Sequence, residues 1–244
     1  MTRLFRSIHL LLVFFWILLI FIIFLPFYWL FTRNKKTYAI LNGFRKAHSY
    51  LVLYLSGIIP VFRNKNRLDT RQTYIFCANH SSFLDIFICC IIAKGRFHFM
   101  GKEELLKNPV TAMFFSTIDV TVNRKSKISS FKAFKKVSEN LDNGMSLIIF
   151  PEGRIGNHYP PRLESFKNGP FRLAIEKGIP IVPISIANVW QLMWDDGVKH
   201  GTRPGILDLY VHSPINTTNF APEEEEKLKE EVYQKIKSKL SYAD

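Results

Sequence analysis

The sequence predicts an α/β protein, a mixed sheet flanked by helices, preceded by a membrane-anchoring helix or helical hairpin. Two observations carry this. Downstream of Arg71, short apolar runs alternate with amphipathic ones, the order expected of strands and helices packed in layers. Upstream, Ile8 to Phe31 contains no charge and one strongly polar residue, His9.

That N-terminal run is long enough, at about 1.5 Å per residue, to cross a hydrocarbon core of about 30 Å. It exceeds a signal-peptide h-region and no small-residue cleavage site follows it, so a permanent anchor is expected. Arg33, Lys35, Lys36, Arg45 and Lys46 outnumber Arg3 and Arg6, which puts the following domain on the cytoplasmic side of a membrane. Pro26 and a second apolar stretch, Tyr50 to Phe62, make a hairpin in one leaflet the rival of a full span. The expected division is an anchoring region over 1–62 and a catalytic domain over 63–244, with a polar break from Arg63 to Arg71.

Strands are expected at Thr73–Ala78, Phe97–Met100, Asp119–Val122, Ser146–Phe150, Ile181–Ala187 and Ile206–His212. Between Ser129 and Leu141 a helix is expected to pack Phe131, Phe134, Val137 and Leu141 and to solvate Lys132, Lys135 and Lys136, because spacings of three and four share one face. A last helix, from about Glu223, spaces Leu228, Val232, Ile236 and Leu240 by four, and its Glu223–Glu226 run suits the positive end of the helix dipole.

The formal charge is +13, and because residues 221–244 hold five lysines against seven acids, the rest carries +15. Such a field suits a nucleic acid or an anionic lipid surface equally. The apolar run favours lipid, and no nucleic-acid motif is present. Cys77, Cys89 and Cys90 lie in apolar surroundings and are expected as reduced core residues. Cys77 and His80 form a C-x-x-H pair without a second pair at zinc-site spacing, so no structural metal is expected.

The first expected strand of the domain runs into Asn79-His80-Ser81-Ser82-Phe83-Leu84-Asp85 and then the apolar IFICCIIA. This puts His80 where a strand gives way to a helix, and an imidazole there can accept a proton near neutral pH. Asp85 can fold back to accept the ring N–H, holding the tautomer and stabilising an imidazolium. Equally, Ser82-x-x-Asp85 reads as a capping box.

The segment resembles the His, four residues, Asp motif of the glycerolipid acyltransferases, the lysophosphatidic acid acyltransferase family. Further blocks follow in that family's order: Phe99-Met100-Gly101-Lys102-Glu103-Glu104-Leu105, Asp119-Val120-Thr121-Val122-Asn123-Arg124, Phe150-Pro151-Glu152-Gly153 with Phe166-Lys167-Asn168-Gly169-Pro170-Phe171, and Ile179-Pro180-Ile181-Val182-Pro183-Ile184. The resemblance spans about Thr73 to Ala187 and implies a glycerol-3-phosphate acyltransferase-like fold. It implies transfer of a fatty acyl group from acyl-CoA or acyl carrier protein to the sn-2 hydroxyl of 1-acyl-glycerol-3-phosphate, forming phosphatidic acid, with no cofactor. His80 would be the base and Asp85 its partner.

The resemblance further implies that Arg124 binds the acceptor's phosphate, that Lys102 meets the oxyanion or the donor's phosphates, that Gly153 permits close backbone approach, and that Glu152 hydrogen-bonds a glycerol hydroxyl or orients a neighbouring cation. Pro180 and Pro183 would shape the acyl pocket. Each has a plainer reading, as a solvated charge run, a surface lysine, a strand-ending turn and prolines of an edge strand. Where many family members carry Glu-Gly-Thr-Arg, here Arg154 follows Gly153 directly and Ile155 holds the usual arginine place, so either Arg154 supplies that cation from a shifted position or the phosphate relies mainly on Arg124. Two alternatives stand: another lysolipid acceptor, such as a lyso-ornithine lipid, and a noncatalytic lipid-binding membrane protein.

Overall fold

The computed structural model describes residues 2–65 and 68–241. Residues 66 and 67 of the expected polar break, and residues 1 and 242–244 of the two expected regions, lie outside the described residues.

The chain opens with a helical hairpin, α1 (Arg3–Phe31) and α2 (Tyr38–Leu55), joined through a 3-10 turn at Lys35–Thr37. The sheet-bearing region then runs β1 (Ile58–Lys65), β2 (Ile75–Ala78), α3 (Asp85–Ile92), β3 (Phe97–Lys102), α4 (Pro109–Phe115), β4 (Val120–Val122), α5 (Lys127–Asp142), β5 (Ser146–Ile149), α6 (Gly169–Lys177), β6 (Ile181–Ile186), α7 (Val189–Leu192), β7 (Gly205–Val211) and α8 (Glu225–Lys237). The seven strands take the order β1-β7-β6-β2-β5-β3-β4. All neighbours are parallel except β6 and β7. The sheet is therefore mixed, as the sequence predicts.

Alternation along the strands divides the core into two layers. Phe76, Ala78, Phe97, Phe99, Val182, Ile184 and Ile186 pack with α3 and with Val13 and Leu53 of the hairpin. Ile75, Cys77, Leu147, Ile149 and Ile181 face the other way, against α5, α6 and α8. All three cysteines are free and buried.

The division expected after residue 62 falls inside β1, an edge strand in register with β7 from Ile58↔Gly205 onward. Pro60 is tolerated there because an edge strand leaves one side unpaired. The hairpin is also not a separate body. Near the start of α1, His9 lies 2.5 Å from the Thr202 hydroxyl and 2.8 Å from the Ser56 carbonyl, and Thr202 N–H donates to the Arg6 carbonyl. Near its end, Tyr28 packs edge-on against Phe114 of α4 with ring centroids 5.1 Å apart. Arg45 of α2 is buried in a bidentate pair with Asp119, at 2.9 and 3.2 Å, and Asp119 also accepts from Phe99 N–H. Arg45, counted by sequence among the flanking charges, therefore points into the protein. Breaking such a pair by removing one partner costs about 3–5 kcal/mol.

One face of α1 is thus packed, while Leu4, Ile8, Leu11, Phe15, Leu18, Ile22, Ile23 and Trp29 on the other are exposed. α1 is long and apolar enough to cross a membrane by length and composition.

Two helices differ from expectation in detail. α5 begins at Lys127, and its buried stripe is Ala133, Val137 and Leu141. Phe131 is 72% exposed. At about 100° per residue it lies roughly 120° around from the centre of that stripe. The last helix begins as a 3-10 turn at Pro222–Glu224 and continues as α8, burying Leu228, Val232 and Ile236.

Candidate active site

Four parallel strands, β2, β5, β3 and β4, are neighbours in the sheet, so their carboxyl ends form one edge. His80 follows β2, Lys102 ends β3, Arg124 follows β4 and Glu152-Gly153-Arg154 follows β5. This is the edge at which open α/β sheets bind ligands. The parallel register is what brings residues 74 positions apart in the sequence to one mouth.

His80 Nδ1 lies 2.8 Å from Asp85 Oδ2. That same oxygen accepts from the backbone N–H of Ser81 at 2.7 Å and Ser82 at 2.8 Å, while Leu84 N–H donates to Ser82 Oγ. Asp85 therefore braces the turn before α3 as well as the imidazole, but the expected capping box does not form as such, since the N-cap of α3 is Leu84 and Ser82 Oγ accepts from Leu84 rather than from Asp85. A carboxylate only accepts, so it fixes the proton of the neutral ring on Nδ1 and leaves the Nε2 lone pair free. Phe150 stacks on the ring with centroids 4.0 Å apart and planes 14° off parallel.

Glu152 is buried beneath the turn. Its Oε1 accepts from His80 N–H at 2.7 Å and its Oε2 from Glu164 N–H at 2.9 Å. Burial pushes its carboxyl up to about 8, against the pull of those two N–H groups. Both oxygens thus meet backbone N–H groups under the His80 turn, and Glu152 does not line the cavity beside it. Gly153 turns the chain with φ +78°, a left-handed conformation that a side chain would strain.

A cavity of about 570 Å³ opens at this mouth. His80, Lys102, Arg124, Gly153 and Arg154 all line it, and it runs inward past Phe83, Ile86, Phe87 and Cys90 to Ile17, Phe21 and Tyr28 of α1. Arg154 is largely exposed and 3.9 Å from Glu164. Burial draws the Arg124 guanidinium below its ordinary pKa, and Glu104 opposes this.

Pro180 and Pro183 do not line the cavity. Pro180 precedes β6 and Pro183 sits in its middle, opposite Cys77. Alternation turns Pro183 with Ile181 and Ser185 toward α8, where Ser185 Oγ donates to the Ile236 carbonyl. The apolar wall comes instead from α1 and α3.

Sequence reasoning also missed Asp195. It lines the cavity and holds φ +52°, the one positive φ outside glycine among the described residues. Its N–H donates to the Ser81 carbonyl and its own carbonyl accepts from Phe83 N–H, bracing the His80 turn from outside. Burial and then Asp196 raise its pKa, with His80 and Lys102 opposing. The Trp194-Asp195-Asp196-Gly197 run signals only a turn.

Among the described residues, no group of three or more His, Cys, Asp or Glu is arranged to hold a metal. What the site offers is an imidazole–carboxylate pair beside a largely apolar cavity that Lys102, Arg124 and Arg154 line together with Asp195 and Asp196.

Comparisons with known proteins bear on the family and the fold. A family model described as Acyltransferase matches residues 60–187. A chloroplastic 1-acyl-sn-glycerol-3-phosphate acyltransferase of Arabidopsis thaliana is 30% identical over 182 residues, 70% of this chain and 49% of that protein. A 1-acyl-sn-glycerol-3-phosphate acyltransferase of Chlamydomonas reinhardtii is 27% identical, over 64% of this chain and 46% of its own. The alpha enzyme of that name in Mus musculus is 28% identical, over 70% and 60%. The chain thus spans about half the length of several curated relatives it matches. The crystal structure of the 1-acyl-sn-glycerophosphate (LPA) acyltransferase PlsC from Thermotoga maritima superposes with a TM-score of 0.79 at 24% identity, covering 97% of this chain and 95% of that one. It has the same fold.

Proposed function

The chain belongs to the acyltransferase family, and on that premise we propose that it moves a fatty acyl group from acyl-CoA or acyl carrier protein to the sn-2 hydroxyl of 1-acyl-glycerol-3-phosphate, forming phosphatidic acid. The observation that carries this reading is the 2.8 Å His80–Asp85 contact at the mouth of a cavity that Lys102, Arg124 and Arg154 also line. His80 Nε2 takes the proton of the acceptor hydroxyl as its oxygen attacks the thioester carbonyl. The C–O bond forms, the C–S bond breaks, and the thiolate leaves with the proton returned by the imidazolium. A thiol of pKa about 8.5 needs no strong acid to depart, and the reaction calls for no cofactor. Arg124 and Arg154 suit the acceptor's phosphate, Arg124 by its planar fork. Base catalysis of this kind contributes about 10²–10⁴-fold.

α1 is about 43 Å long at 1.5 Å per residue, and the sheet-bearing region touches it near both ends. A helix held along a domain in this way cannot cross a bilayer without drawing that domain into hydrocarbon. On this reading the hairpin lies in one leaflet with its exposed apolar face in lipid.

The test is the purified chain in detergent with 1-acyl-glycerol-3-phosphate and acyl-CoA, following free thiol. His80→Ala should abolish thiol release with its thermal unfolding unchanged; turnover undiminished in that variant removes the mechanism. One observation favours a second acceptor class: Asp195 and Asp196 line the same mouth and suit the ammonium of a lyso-ornithine lipid. Competition between the two acceptors decides between them.

A further inference from the structure

We propose that the outer face of α5 is a docking surface for an acidic acyl carrier protein, the donor's protein form, and that it presents the thioester to the neighbouring cavity mouth. From Arg124 to Ser138 the chain carries six cations and no acid. Among the described residues only Lys136 of these is in an ion pair, 3.6 Å from Glu139. Amid these charges Ile128 is 70% and Phe131 72% exposed. An aromatic anchor within a rim of like charge is the composition of a protein-binding patch.

The exposure belongs to a well-anchored helix. Ser126 caps it by accepting from Ser129 N–H, and Ala133, Val137 and Leu141 are buried beneath. Beside it, a groove of about 580 Å³ lies between α5 and Ser116–Thr121, a recess for a partner's side chains. The strip is continuous with the site, because Arg124 lines the cavity mouth and α5 begins three residues later.

Charge alone would also suit an anionic bilayer. The layer order argues against that partner. α1 and α2 pack on the α3 face of the sheet, whereas α5 packs on the opposite face with α6 and α8. A bilayer that covers the exposed face of the hairpin lies on the other side of the molecule. A protein partner of opposite charge meets α5 from solvent, and its attraction falls with salt.

The catalytic half of this inference rests on the proposed function; the docking half does not. Fluorescently labelled holo-acyl carrier protein is titrated with the full chain in detergent micelles, followed by anisotropy at low and high salt. Initial rates are measured with acyl carrier protein and acyl-CoA as alternative thioester carriers. Lys132→Glu/Lys135→Glu and Phe131→Ala should each weaken carrier binding and lower kcat/KM for the acylated carrier through KM, the charge reversal by about tenfold or more. Rates with acyl-CoA should stay within about twofold of wild type, as expected for surface changes away from the site. Absence of carrier binding by the wild type, equal losses with both thioesters, or a matching loss of binding to phosphatidylglycerol vesicles would each overturn the proposal. Carrier binding that depends on α5 without consumption of either thioester would uphold the surface and refute the acyl-transfer reading.

Discussion

Asp85 and Glu152 follow neighbouring parallel strands, β2 and β5, and both are buried carboxylates that accept backbone N–H groups of the same small region. Their partners differ. Asp85 adds the His80 ring to the N–H groups of Ser81 and Ser82, whereas Glu152 takes the His80 backbone N–H and that of Glu164. One carboxylate orients the His80 ring, and the other fixes the chain from which the ring projects. A charge that must track the proton acts through the ring; a group that only shapes the turn can itself be neutral, as the raised pKa of Glu152 allows.

Asp85→Asn breaks this comparison most sharply. An asparagine oxygen in the place of Oδ2 still accepts from the Ser81 and Ser82 N–H groups and from the ring, but it carries no charge to stabilise the imidazolium that forms. Turnover of lysophosphatidic acid is expected to fall by about 10³–10⁴-fold, the scale known for carboxylate-to-amide changes beside a catalytic histidine, with little change in unfolding temperature. Activity within about tenfold of wild type would mean that Asp85 serves only the turn.

Glu152→Gln should do the reverse, damaging the fold more than the proton transfer. Glutamine brings one acceptor oxygen for two N–H donors, so one is orphaned at about 1–3 kcal/mol. The pH dependence has a definite sign. Since the folded carboxyl lies near 8 against 4.5 unfolded, the folded state binds the extra proton between those values. The stability it contributes is fully present below pH 4.5 and is lost as pH rises through about 8. Thermal unfolding of wild type and Glu152→Gln at pH 5 and pH 8 should show a wider gap at pH 5. A gap independent of pH would show that Glu152 folds fully ionised.

The two carboxylates were unequally legible in the sequence. His80 and Asp85 sit five residues apart, and local geometry lets the sequence pair them without any knowledge of the sheet. Lys102, Arg124 and Arg154 were singled out through the blocks that resemble the acyltransferase family, and the parallel strand ends bring all three to one cavity. The contacts of Glu152 were not legible because its partners are two backbone N–H groups, which no residue type announces. Pro183 was misplaced because which face a strand residue takes depends on its register within the whole sheet. β1 escaped because Pro60 and Arg63 disguise it, and its partner β7 begins at Gly205. The Arg45–Asp119 pair joins positions 74 residues apart and reads from sequence as a flanking charge and a strand start.

Phe150 supplies the smallest and most discriminating effect. It lies two residues before Glu152 and gives the β5 turn its own contact with the His80 ring, a stack at 4.0 Å. Such a contact is worth about 0.5–1.5 kcal/mol, or roughly two- to twelvefold in rate if it all acts on the transition state. Phe150→Leu is therefore expected to lower kcat a few-fold and leave KM for the acceptor alone, and Phe150→Tyr to restore most of the loss. The β5 side would then reach the ring by packing and the β2 side by charge. Should Phe150→Leu cost as much as Asp85→Asn, the ring's orientation would depend on the stack, and the division of labour between the two turns would have to be redrawn.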